Sequence, residues 1–205
     1  LVQRLAFYRD LLKSHAADPQ VRDLVVFGDQ DGAQLWSSRL RSALPQSIGA
    51  ALFSRDGEVL GSQLAQRVGN ACVSDMFRHV SGHDDHLLPV HDAVPSLAHF
   101  DMTESILGES GEEVGLIFVS FSLEELRKAV AQLSSPHVAV SLVSQGDGKV
   151  VAVSDNWSAL ADAAQRSVNL DMGDWVMHMR LESGDLLPAL PSLGIAILVA
   201  ATVLI

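Results

Sequence analysis

The chain has 205 residues and a formal net charge of −11, with 14 Lys and Arg against 25 Asp and Glu. That length allows one large domain or two small ones, and the acidic balance without a basic stripe excludes a partner recognised through nucleic-acid phosphates. The single cysteine, Cys72, excludes an internal disulfide.

Residues 1–17 read as a helix. Val2, Leu5, Leu12 and Ala16 fall near one stripe, and Phe7, Tyr8 and Leu11 widen it. Because the apolar surface spans more than one stripe, this helix is the expected homodimer surface. Asp18 and Pro19 restart the helix as cap and first residue, with Val21, Leu24, Val25 and Phe27 as the apolar side and Gly28 as the stop. A third helix is expected over 30–44, with Leu35, Trp36, Leu40 and Leu44 inward, Arg39 and Arg41 outward, and Pro45 ending it. Together they make an N-terminal helical stalk, 1–46.

Residues 48–53 and 58–62 read as two strands around Asp56 and Gly57, a strong hairpin signal. A helix is expected over 70–80, then a polar, His-rich loop over 81–96. Next come a strand over 97–107, a turn carrying Gly108, Ser110 and Gly111, and a strand over 114–121. In this last strand Leu116, Phe118 and Ser120 point one way and Ile117, Val119 and Phe121 the other. Both faces are mostly apolar, so it is expected at the centre of a sheet. Ser122 and Glu125 form a capping box for a helix with Leu123, Leu126, Val130 and Leu133 at helical spacing.

After Pro136 the pattern recurs in shorter form: strands over 137–143 and 149–154, a helix over 155–165, and a hairpin over 167–171 and 175–182. The expected organisation is a first α+β module over 47–134 and a second, smaller one over 135–183. The alternative is one domain whose antiparallel sheet carries several hairpins. From 186 to 205 no charged residue occurs, and the run reaches the length of a membrane-spanning helix, about 20 residues. The chain also begins without Met and is expected to be a piece of a longer membrane protein.

This layout of helical lead-in, Asp-Gly hairpin, helix, long loop, two strands and helix resembles the Cache-type sensor domains, the PAS-like extracytoplasmic domains of bacterial receptors. His99, Phe100 and Asp101, followed by the run 115–123, resemble sensor regions ahead of diguanylate cyclase and phosphodiesterase modules. The resemblance spans about residues 1–182. It implies a PAS-like antiparallel fold, a periplasmic setting at the inner membrane, a small-molecule ligand and a cytoplasmic output module. The Arg-x-Trp-Tyr run of the amino-acid-binding members is absent, since Trp36 is followed by Ser37 and Ser38. An amino-acid ligand therefore does not follow from the resemblance.

In a PAS-like sheet a ligand sits between the sheet and its helix-loop cover. His99 and Asp101 share one face of their strand, and Phe100 and Met102 the other. The expected ligand contacts are His99, Asp101, His91, Arg78 as a fork for an anion, and Phe53 and Phe118, which read first as core and second as a ligand platform. The competing reading is that His99 and Asp101 pair with each other or with Arg78 as a satisfied polar cluster. His79, His83, His86, His91 and His99 lie among Asp84, Asp85, Asp92 and Asp101, a ligand set that a divalent transition metal accepts. The favoured reading is a solvated polar surface loop, and no metal or cofactor is assigned. No nucleophile elbow or phosphate loop occurs, so no catalysis is expected in this fragment. The rival to a sensor is a membrane-tethered periplasmic interaction domain without a ligand.

Overall fold

Aspartates begin two of the first three helices. Asp18 accepts a hydrogen bond from the Gln20 backbone N–H at 2.9 Å, and Asp29 from that of Gly32 at 2.9 Å, each satisfying a donor that a helix start leaves open. In this computed structural model, which describes residues 2–44, 46–61, 90–92, 98–145, 148–170 and 175–182, the helices are α1 (Val2–Ala16), α2 (Pro19–Val26) and α3 (Gln30–Ala43). The chain divides into two compact units, one over Gln3–Ser122 and one beginning at Leu123.

The first unit carries β1 (Ser47–Ser54), β2 (Val59–Leu60), β3 (Val90–His91), β4 (His99–Leu107) and β5 (Glu113–Ser122) in one antiparallel sheet of order β2-β1-β5-β4-β3. The Asp-Gly hairpin closes as expected, with Gly57 at φ 81° and its N–H donating to the Ser54 carbonyl. The apolar strand β5 lies at the centre, paired with β1 on one side and β4 on the other. Its register places Phe121, Val119 and Ile117 on one face with Phe100, Met102, Ala50 and Leu52. The helices cover that face. Tyr8 of α1 stacks on Phe121 at 4.7 Å and 7°, and Phe121 stacks on Phe100 at 5.3 Å. Leu5, Leu12, Ala16, Val21, Val25, Ala33, Trp36 and Leu40 complete this core.

Two outward residues correct the sequence reading: Phe27 is 79% exposed and Leu35 52%, while Phe7, 60% exposed, lies outside the stripe that packs on the sheet. On α3 the inward residues are Ala33, Trp36, Ser37 and Leu40. Small side chains at 33 and 37 let the helix approach the sheet, so Leu35 is turned outward. Phe27 falls at the C-cap, beyond the helical periodicity. His91, read as part of a loop, belongs to the short strand β3 paired with β4. The expected helix 70–80 and Arg78 lie outside the described residues.

The second unit has α4 (Leu123–Leu133), packed through Leu123, Leu126 and Val130, and a sheet of β6 (Val138–Ser144), β7 (Val150–Val153), β8 (Ala164–Asn169) and β9 (Trp175–Leu181) in the order β7-β6-β9-β8. The final hairpin is present, but the helix expected over 155–165 is not. Residues 155–162 form successive turns and β8 begins at Ala164. The Asn156 amide is drawn to the Ser135 and Val138 carbonyls, and the Trp157 carbonyl accepts from Arg180 Nη1 at 2.8 Å. These long-range bonds compete with a helical ladder. No helix among the described residues is long and apolar enough to cross a membrane, and the apolar run 186–205 lies outside them.

Candidate functional site

The face of the first sheet turned away from α1–α3 carries the candidate residues. Strand alternation puts His99, Asp101 and Thr103 of β4 on this face, and the β5 partners in register are Ser122, Ser120 and Phe118. His91 of β3 lies directly opposite His99. Phe53 of β1 meets Phe118 edge-on, with ring centroids 5.9 Å apart. Of the six residues proposed from sequence, five are therefore brought to one face of one sheet: His91, His99, Asp101, Phe53 and Phe118. The sixth, Arg78, lies outside the described residues.

Phe53 and Phe118 are 2% and 1% exposed, so both pack as floor and core. The polar end is buried as well. His99 is 6% exposed and Asp101 1%, while the His91 side chain is 17% exposed. Asp101 Oδ1 accepts a hydrogen bond of 2.6 Å from Ser120 Oγ and lies 3.6 Å from His99 Nε2. Asp101 Oδ2 lies 3.1 Å from His91 Nε2. The two imidazoles face each other with centroids 4.9 Å apart and planes at 31°. Two histidines thus converge on a single carboxylate, and a serine fixes that carboxylate from the neighbouring strand.

Burying a charge costs several kcal/mol unless it is paired and hydrogen-bonded. Ser120 supplies a hydrogen bond to Asp101 and the two imidazoles lie within ion-pair distance, so the reading in which His99 and Asp101 satisfy each other describes part of the geometry. It leaves one acceptor over. Among the described residues Asp101 Oδ2 accepts no hydrogen bond, although it is inaccessible to water. The contrast is His137 with Glu182, which also pair, at 2.6 Å, but with side chains 65% and 52% exposed. Such a pair contributes little and is screened by salt.

Sequence reasoning placed Ser120 on the face of Leu116 and Phe118 without giving it a role at the site. The signal was present: a lone hydroxyl in an apolar strand, in phase with the aspartate of its neighbour. His79, His83 and His86 lie outside the described residues, so of the histidine run only His91 and His99 are placed here.

No protein-family model matches the chain, and no curated protein matches it. Solved structures do. The sensor domain of the Vibrio cholerae histidine kinase DctB superposes with a TM-score of 0.60 at 10% identity, over 90% of this chain and 92% of that one. The fold is that of the Cache-type sensor domains. The ligand-binding domain of the Pseudomonas fluorescens chemoreceptor CtaA, in complex with L-isoleucine, shares the Cache fold at a TM-score of 0.59 and 13% identity, over 89% of this chain and 86% of that one. That of the Campylobacter jejuni chemoreceptor Tlp3, in complex with L-valine, follows at 0.50 and 14%, over 89% and 85%. At these identities the likeness is one of fold.

Proposed function

We propose that this chain is the extracytoplasmic ligand-sensing part of a bacterial membrane receptor. It binds a small ligand on the face of its first sheet opposite α1–α3 and passes the bound state to a cytoplasmic output module. One observation carries the reading: buried His99, Asp101 and Ser120 with half-buried His91 on an otherwise apolar sheet, beside Phe53 and Phe118. A mostly apolar surface with a few convergent polar groups is what a small-molecule site needs. A purely apolar face would have favoured the interaction-domain alternative.

The Cache fold supports the same reading. Its structural neighbours are sensor domains rather than enzymes, and the CtaA and Tlp3 domains hold amino acids. They come from a histidine kinase and chemoreceptors, so they lend no support to a cyclic di-GMP output. The apolar run 186–205 is proposed as the anchor, following β9 in sequence. Phe7, exposed on α1, is consistent with a homodimer through that helix.

Thermal-shift screening of the protein against carboxylates, amines, amino acids, purines and divalent metals tests the reading. A ligand at a hundred times its Kd stabilises by about 2.7 kcal/mol, which for a chain of this size raises the midpoint by roughly 5–10 °C. The response should disappear in Asp101→Asn. A flat response to every class, or one that Asp101→Asn leaves intact, rejects this site.

A further inference from the structure

We propose that His91, His99 and Asp101 together hold a divalent transition-metal ion of the Zn2+ class. The inference rests on the reading of this face as the sensing site and names the chemistry of what is sensed. Three features of the cluster point to it.

The first is distance. A tetrahedral ion with bonds of about 2.0–2.1 Å to nitrogen and oxygen sets neighbouring ligand atoms about 3.3 Å apart. Here His91 Nε2 lies 3.1 Å from Asp101 Oδ2, the oxygen that Ser120 leaves open, and His99 Nε2 reaches the same carboxylate, 3.6 Å from its other oxygen. One ligand atom from each of the three residues falls within 4.8 Å of the others.

The second is charge. Asp101 is 1% exposed, and its Oδ2 accepts no hydrogen bond among the described residues. A buried carboxylate needs a cation. One divalent ion held between the carboxylate and the two imidazoles supplies it.

The third is support. Ser120 Oγ donates to Asp101 Oδ1 at 2.6 Å, which leaves Oδ2 as the ligand atom and orients it. Carboxylates that bind metals are themselves held by hydrogen bonds in this way. Two imidazoles and one carboxylate suit zinc, copper, nickel or iron and disfavour magnesium and calcium. The three ligands among the described residues leave a coordination position for a further donor.

The test is calorimetric titration of ZnCl2 into the full chain, free of any affinity tag and stripped with chelator. Binding should be saturable, one ion per chain, and unmoved by excess Mg2+ or Ca2+. Co2+ should give the visible absorption of a four-coordinate site. His91→Ala, His99→Ala and Asp101→Asn should each weaken binding at least 100-fold. Ser120→Ala, which keeps all three ligands, should weaken it roughly 10–100-fold. His137→Ala and His178→Ala, at an exposed and a half-buried histidine of the second unit, should change nothing. Circular dichroism checks that each variant folds, and His91→Ala, at the short edge strand, carries the test if Asp101→Asn does not fold. Absence of saturable Zn2+ binding, or stoichiometric binding that survives all three ligand substitutions, overturns the inference. If Zn2+ fails while an organic compound stabilises the wild type and not His99→Ala, the metal is wrong and the sensing face stands. If neither binds, both fall.

Discussion

Ser120 and Asp101 decide the chemistry of the site at the scale of single residues. The hydroxyl donates to a carboxylate with almost no water around it. Removing one partner of a buried hydrogen bond costs the desolvation of the group left behind, about 1–3 kcal/mol and more for a charged one. Ser120→Ala should therefore lower the stability of the metal-free protein by that amount in urea denaturation. Ser120→Thr, which keeps the hydroxyl, should recover most of it. Equal stability of Ser120→Ala and wild type would mean that the bond is not formed. A second serine acts at the surface. Ser110 Oγ donates to Glu112 Oε2 at 2.6 Å in the β4–β5 turn. This bond, assisted by backbone N–H donors of Glu112 and Ser110, holds the Glu112 carboxyl below its ordinary pKa. The folded-state value is the lower one, so the contribution is present above the ordinary carboxylate range and is lost as pH falls through the lowered midpoint. In Ser110→Ala, NMR titration should find the Glu112 midpoint moved up toward its ordinary value.

At the scale of elements, alternation made most of the first sheet legible. The apolar run of β5 announced a central strand, and a period of two grouped Phe118 with Ser120 and His99 with Asp101, while the register that brings the two groups to one face came from the structure. What stayed hidden depended on partners distant in sequence. The two residues of β3 carry no periodic signal, and their pairing opposite His99 and Phe100 makes them a strand. The turns after Asp155 arise because Arg180, on another strand, takes the Trp157 carbonyl and sits 3.9 Å over its ring. On α3, Leu35 outweighed Ala33 and Ser37 by hydrophobicity, although close packing on β1 favours small side chains. A glycine makes the same point on β5. A Cβ at Gly115 would meet the Phe53 carbonyl oxygen and Val25 Cγ1 at once, so the hydrogen there lets α2 lie against the β1–β5 pair. Gly115→Ala should cost about 1–3 kcal/mol, the usual range for overpacking, read as a lower denaturation midpoint at unchanged slope. A backbone carbonyl has little freedom to move away, so a neutral result would show that α2 packs elsewhere in solution.

At the scale of the whole chain, two α+β units follow one another, and among the described residues the first brings a half-buried and a buried histidine and a buried aspartate onto one sheet face. In the second unit the histidines at 137 and 178 are bonded to Glu182 and Ser167 in exposed positions. A ligand can shift an equilibrium only by its differential affinity for the two states, so the unit that binds it must be the one whose opening it opposes first. Hydrogen exchange reads this directly, because amides that exchange through opening of a unit slow in proportion to the stabilisation of that unit. With Zn2+ or another site ligand at a hundred times its Kd, amides of residues 99–103 and 118–122 should slow by up to about 100-fold. Amides of β6 and β9 should slow less, by whatever fraction of that free energy the second unit receives. Protection centred on residues 138–144 and 175–181 would move the sensing site out of the first sheet. Equal protection of both sheets would mean that the two units open together, and the binding energy would then be shared by the whole chain.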